Sequence, residues 1–283
     1  MSGMLRVLDL FSGIGGFSLG LERTGGFETV AFCEIDPFCR RVLSKHWPGV
    51  KQYDDIRSLT AGQLRADGIA VDAICGGFPC QDVSVAGKRG GLEAERSGLW
   101  AEFDRLIGEL GPSLVLVENT PGLLSLGMGR VLGDLAARGY DAQWDCIPAN
   151  RVGAPHERDR VWIVAYPNED RLQERVHVAR AGREALSGQQ ARGPADGVFA
   201  PPKSANANAG KQPLGSAAGR MGRLFQPVPW HRAWPITSEP VLGRGTDGIP
   251  DRLDRVGALG NAVVPSVPEI IGHAILESMR AAA

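Results

Sequence analysis

The sequence predicts an α/β fold built on a mostly parallel sheet with helices on both faces. Three observations lead there. Short apolar runs of strand length recur through residues 5–166, stretches of helical periodicity separate most of them, and glycine turns lie where a run gives way to a helix. Strands alternating with helices of this length need crossover connections, and those make neighbouring strands parallel.

The elements follow in order. LRVLDL (5–10) reads as a buried strand, followed by a glycine turn and the amphipathic stretch GFSLGLERT. ETVAFCEI (28–35) is a second strand, and PFCRRVLSKHW (37–47) is a helix whose Pro37 suits the first helical turn. A short third strand is expected just before YDDI, and VDAICGG (71–77) and SLVLVEN (113–119) are further strands. SGLWAEFDRLIGEL (97–110) forms a helix between the last two. GRVLGDLAARG (129–139) is a helix with a glycine stop, and DAQWDCIPA (141–149) and DRVWIVAY (159–166) are closing strands. From Pro167 to about Arg244 the periodicity dissolves into Gly, Pro, Ala, Asn and Arg, and loop is expected. Order returns over 252–280, which ends in an apolar-periodic helix that needs a sheet face. The expected organisation is therefore a first domain (1–166), an insertion (167–245) and a C-terminal segment (246–283) that completes the first domain.

Composition narrows the class. No stretch approaches the eighteen apolar residues of a membrane span, and MSGMLRVLDLF does not read as a signal peptide, so a cytoplasmic protein is expected. The five cysteines (33, 39, 75, 80 and 146) are odd in number and form no CxxC pair, which argues against a disulfide framework or a zinc cluster. No metal site is expected. Net charge is −1, but it is unevenly spread. Basic and acidic residues number 17 and 21 in 1–166, 11 and 6 in 167–245, and 3 and 5 in 246–283. The basic excess lies in the insertion, as in a module that faces a polyanion, although a solvated loop reads the same way. Within it, Trp230 and Trp234 flank His231 and Arg232, a pattern that suits either base stacking or the cap of a small core.

Several groups carry chemistry. DLFSGIGG (9–16) closes a strand and opens a helix, where backbone N–H groups can approach a polar ligand. It departs from the dinucleotide pattern, because position 18 is Ser rather than a third glycine. Glu34 ends the second strand, about twenty residues on, where an acid can accept hydrogen bonds from ribose hydroxyls. Asp55 follows the third strand. Cys80, in GGFPCQDVSVAGKRGG (76–91), follows a strand at the same carboxyl edge, and Pro79 fixes its approach. A thiol there is a buried hydrophobe or a nucleophile on residue type alone. Glu118 ends SLVLVEN at that edge too. Arg158 and Arg160 in HERDR, placed at a strand start, would face one side and hold a carboxylate, phosphate or base carbonyl; a surface ion-pair cluster is the plain alternative.

The blocks DLFSGIGGFSLGLE, CEID, GGFPCQDVSVAGKRGG, RSGLW, ENTPGLL, GAPHERDRVWIVA and ALGNAVVP occur in the order seen in DNA (cytosine-5) methyltransferases. Over residues 5–166 and about 246–275 the chain resembles that family, and in style its short bacterial and phage-type members. The resemblance implies a Rossmann-like, S-adenosylmethionine-dependent methyltransferase fold with a small irregular target-recognition region at 167–245. It implies that Phe11, Gly13, Gly15 and Gly16 form the cofactor turn, that Glu34 holds the ribose and Ile35 packs on adenine. Asp55 and Ile56 would meet the adenine edge, and Phe78, Pro79, Leu99 and Asn261 would complete the cofactor site. Cys80 would be the nucleophile, Glu118 would contact a flipped cytosine, and Arg158 and Arg160 would position Glu118 and the base. Two positions depart from the family pattern: His156 stands where Gln is usual, and Thr120 where Val is common.

The implied partner is double-stranded DNA, with a cognate restriction endonuclease as a candidate partner, no membrane, no obligate protein partner, and a monomeric enzyme. Three other readings stand beside this one. One branch of the family uses the same blocks on tRNA. A catalytically silent DNA-binding relative would have lost Cys80, Glu118 or an arginine, and all are present. A nucleotide-dependent oxidoreductase would use the glycine turn differently.

Overall fold

The computed structural model describes residues 3–79, 98–168 and 258–281. Cys80 and the remainder of its glycine-flanked block, and the tryptophans of the insertion, lie outside the described residues. Residues 3–167 and 258–281 belong to one compact unit.

Its strands are β1 (Leu5–Leu10), β2 (Phe27–Cys33), β3 (Lys51–Tyr53), β4 (Ala73–Gly76), β5 (Leu114–Asn119), β6 (Tyr140–Cys146) and β7 (Val161–Pro167). They form a sheet in the order β3-β2-β1-β4-β5-β7-β6. The five strands from β3 to β5 run parallel, and β7 lies antiparallel to both β5 and β6. The expected mostly parallel sheet is present. Its two closing strands form an antiparallel pair. The direction of a strand is set by which edge its connection reaches, and a short run of residue types does not carry that information.

The helices are α1 (Gly16–Arg23), α2 (Pro37–His46), α3 (Ala61–Ala66), α4 (Gly98–Leu110), α5 (Gly122–Leu126), α6 (Met128–Ala137) and α7 (Ser266–Ala281). Local chemistry explains several starts. Asp36 caps α2 by accepting from the Phe38 and Cys39 amides, with Pro37 at the first helical position. The Thr60 hydroxyl accepts from the Gln63 amide and starts α3, which is too short to show a period in sequence. In α4, Trp100, Phe103, Leu106 and Ile107 form a buried stripe at helical spacing.

Strand alternation sorts the core into two faces. Leu8, Leu10, Ile74, Val115, Val117 and Ile163 share a buried cluster with Trp100, Phe103 and Leu106 of α4 and with Val131 and Leu135 of α6. The intervening residues, including Val7, Cys75, Leu116 and Trp162, serve the other face, where Phe17 of α1 meets Trp162 edge-on at 5.3 Å. Here α7 lies on α1 with Val267, Pro268, Ile271 and Gly272 buried. Glycines allow this close approach: a side chain at Gly272 would meet Thr24, Leu21 and Phe27, and one at Gly20 would run into the Pro265 carbonyl. Residues 258–281 have the length and hydropathy of a membrane-crossing helix. The helix is interrupted at 262–265, however, and α7 spends one face on α1.

Candidate active site

The carboxyl ends of β1, β2, β4 and β5 converge on one edge of the sheet, the usual ligand side of such folds. At the end of β1 the chain turns through Phe11, Gly13 and Gly15, all with positive φ (53°, 54° and 85°). The Gly15 amide donates to the Ser12 carbonyl at 2.9 Å, and the Ser12 hydroxyl donates to the Asp9 carbonyl at 2.6 Å, closing the turn. Gly15 admits no other residue. Its φ is left-handed, and a Cβ there would fall about 2.5 Å from the Trp47 ring. Trp47, whose indole N–H donates to Glu22 at 2.9 Å, forms the floor of this turn. Sequence reading missed that role, since a tryptophan ending a helix gives no local sign of its contact.

Glu34 lies one residue beyond β2. Its carboxylate accepts from the Gly13 amide at 2.7 Å and from the Asp36 amide at 2.8 Å, so the acid is held against the glycine turn. Ile35 beside it is 66% exposed, an apolar side chain left open at a polar edge. Asp55 accepts from the Arg57 amide at 2.9 Å, and Ile56 is buried behind it. The loop carrying both is gripped by Arg105 of α4, which donates to the Ile56 and Leu59 carbonyls at 3.0 and 2.9 Å. Phe11 stacks on Phe103, Leu99 packs against the same cluster, and Phe78 is buried beside Trp100. Pro79 and Asn261 are exposed.

The acid at the end of β5 has a different setting. Glu118 is largely buried, its carboxylate 2.9 Å from Arg160 Nε. Burial pushes its pKa up, while Arg160 and Arg158 pull it down less strongly. Gly77 touches it: a Cβ at Gly77 would lie 2.7 Å from Glu118 Oε2. The neighbouring Asn119 donates its amide N–H to the Phe78 carbonyl at 3.0 Å, and its side-chain oxygen accepts from the Thr120 amide. The Phe-Pro-Cys and Glu-Asn blocks are thus fastened together directly ahead of Cys80. The Thr120 amide belongs to this network, and His156 is exposed.

The two arginines do not sit as expected. Strand β7 begins at Val161, so both precede it, and Arg158 has φ of +34°. They therefore do not follow strand alternation, and their partners differ. Arg160 pairs with Glu118, whereas Arg158 donates to the carbonyls of Gly260 and Ala262 at 2.5 and 2.8 Å.

One buried group under the turn also went unread in the sequence. Asp9 is 1% exposed and accepts from the Ser18 hydroxyl at 2.6 Å, tying β1 to α1. Its other oxygen has no partner at hydrogen-bond geometry; the Cys75 thiol, opposite it in the β1–β4 register, contributes only weakly. Burial raises its pKa from 3.8 to about 7. The stability linked to this group is therefore full below about pH 4 and is lost as pH rises through about 7, roughly 4 kcal/mol in all. Denaturant titrations of wild type and Asp9→Asn from pH 4 to 8 should show a steeper fall in the wild type, the difference being the share due to Asp9. Parallel curves would exclude it.

Comparison with known proteins shows what the chain as a whole resembles. A family model described as C-5 cytosine-specific DNA methylase matches residues 5–195. The chain is 38% identical over 174 residues to the type II methyltransferase M2.BsuMI of Bacillus subtilis (strain 168), covering 59% of this chain and 43% of that one. It is 34% identical over 171 residues to M.Bsp6I of Bacillus sp. (strain RFL6), covering 58% and 53%. The matched stretch thus spans about half the length of these relatives. Among solved structures, an E. coli prophage-encoded chain described as a DNA modification methyltransferase superposes with a TM-score of 0.50 at 30% identity, covering 58% of this chain and 47% of that one. S. pombe Dnmt2 methyltransferase gives 0.51 at 24% identity, covering 58% and 51%, a likeness of fold.

Proposed function

The chain belongs to the C-5 cytosine-specific DNA methylase family, and from that premise we propose that it methylates C5 of cytosine in double-stranded DNA, using S-adenosylmethionine. The observation that carries the reading is the buried Glu118–Arg160 pair, pressed against Gly77 three residues before Cys80.

The residues at the carboxyl edge fit the cofactor. Gly13 leaves the turn open to a close ligand, Gly15 lets the turn pack on Trp47, Glu34 presents a carboxylate on it, and the exposed Ile35 offers an apolar surface to a purine. Phe11, Gly16, Asp55, Ile56, Phe78, Pro79, Leu99 and Asn261 complete the proposed set. When bound, S-adenosylmethionine supplies an electrophilic methyl group.

The protein's work is to make C5 of cytosine nucleophilic. The Cys80 thiolate adds to C6 of the ring, breaking the C5–C6 double bond and leaving electron density on C5 and N3. Glu118, whose proton is held more tightly because of its burial, donates a hydrogen bond or that proton at N3 as the density develops. Arg160 holds the Glu118 carboxyl in place. Once C5 carries the methyl group, loss of the C5 proton to water restores the double bond and expels Cys80 as its thiolate, and any proton taken up at N3 returns to Glu118. The base must leave the duplex to be reached. The basic stretch 167–245 is the proposed target-recognition region, and residues 246–283 return to the catalytic unit.

Tritiated methyl transfer, run in parallel on duplex DNA and on tRNA, tests the assignment. Label in DNA, with a denaturant-stable adduct on 5-fluorocytosine DNA, is the expected result. Label in tRNA alone would move the substrate to RNA, and absence of any adduct would leave a silent relative.

A further inference from the structure

Residues 258–265 reach the catalytic edge after an interval of some ninety residues, and two opposed sets of contacts hold them there. On one side Arg158 donates to two carbonyls of the segment, those of Gly260 and Ala262, which flank Asn261. On the other side the segment lies on the start of α1. A Cβ at Gly16 would run into the Val263 carbonyl, and one at Gly20 into the Pro265 carbonyl. Gly16 follows the positive-φ turn directly, and Arg158 lies two residues before Arg160, the partner of Glu118.

We propose that Arg158 is a positioning residue that clamps the 260–265 segment against α1 and thereby couples the Glu118–Arg160 pair to the cofactor turn. The clamp rests on the methyltransferase reading only in naming what the turn holds. Arg158 donates to main-chain carbonyls and has no hydrogen bond to Glu118 among the described residues. Its positive φ is uncommon for a residue with a side chain and fits a conformation held by its partners. The consequence is a division of labour between two arginines that look equivalent in the sequence. Arg160 serves the reacting base through Glu118. Arg158 sets where Asn261 and Val263 stand relative to the glycine turn, and its loss is felt first as weakened cofactor binding.

The test compares Arg158→Gln, Arg158→Lys and Arg160→Gln in the full chain. S-adenosylmethionine affinity is read by calorimetry, and backbone order by hydrogen exchange at residues 258–265. Wild-type binding is measured first; its absence would reject the cofactor assignment and leave the exchange experiment to judge the clamp by itself. Arg158→Gln should raise the cofactor Kd by about tenfold, the scale of losing hydrogen bonds from a charged donor, and should speed exchange at 258–265. Arg158→Lys, which keeps the charge and one donor direction, should fall between, and remains informative should the glutamine variant fold poorly. Arg160→Gln should leave Kd within about twofold while lowering kcat. Gly20→Ala, which presses on the same segment from the α1 side, should speed the same amides. Unchanged exchange at 258–265 in both Arg158 variants would overturn the proposal, as would equal effects of Arg158→Gln and Arg160→Gln on Kd.

Discussion

Cys80→Ser should lower methyl transfer to duplex DNA by about 10³-fold or more while leaving S-adenosylmethionine affinity within about twofold. The two side chains have nearly the same shape, so the loss is chemical. A thiol holds a few per cent of its population as thiolate near neutral pH and is a strong nucleophile in that form; a serine hydroxyl offers almost none. The residues ahead of position 80 are set independently of its side chain. Asn119 holds the Phe78 carbonyl, Phe78 is buried beside Trp100, and Gly77 abuts Glu118. Single-turnover transfer and calorimetry separate the two effects. Turnover within about tenfold of wild type would remove Cys80 from the nucleophile's role.

The second large effect concerns Glu118. Glu118→Gln should slow transfer by about 10²–10³-fold, the range seen when a donor to developing charge is lost. Glutamine can still donate a hydrogen bond from its amide but cannot give up a proton, and it leaves Arg160 facing a neutral group. The pH profile distinguishes these losses. Because burial raises the Glu118 pKa, its protonated form persists to a higher pH than that of a free carboxyl and then declines. The wild-type rate should therefore show an alkaline fall that the glutamine variant lacks. The stability linked to a raised pKa follows the same direction, full at low pH and lost as pH rises through the shifted value. A variant that kept the alkaline fall would assign that limb to another group.

The strands of the cofactor half were legible because LRVLDL and SLVLVEN are buried runs whose apolar content is nearly continuous, as strands covered on both faces must be. The acids at their ends were legible for the same reason: a carboxylate closing such a run stands at the strand's exit. Glu34 and Glu118 were found this way. Asp9 was not, although it belongs to β1, because nothing in LRVLDL tells an acid buried under a helix from one that ends a strand. Its partner Ser18 becomes visible only once α1 is folded over it. Arg158 was placed beside Arg160 by its spacing, yet its two partners lie more than a hundred residues away along the chain. Trp47 under Gly15 is the same kind of contact. Local pattern reports what a residue does to its own element, and these three act on another.

The antiparallel β7 has a consequence for how the chain tolerates change. Its first residue pairs with Asn119 at the catalytic rim, and its last, Pro167, lies at the opposite rim. The polypeptide thus departs from one rim, while Gly260 and Ala262 are fixed at the other by Arg158. A substitution that loosened either end, at the β5–β7 pairing or at the carbonyls Arg158 holds, would therefore be felt at the catalytic rim even where it touches no reacting group.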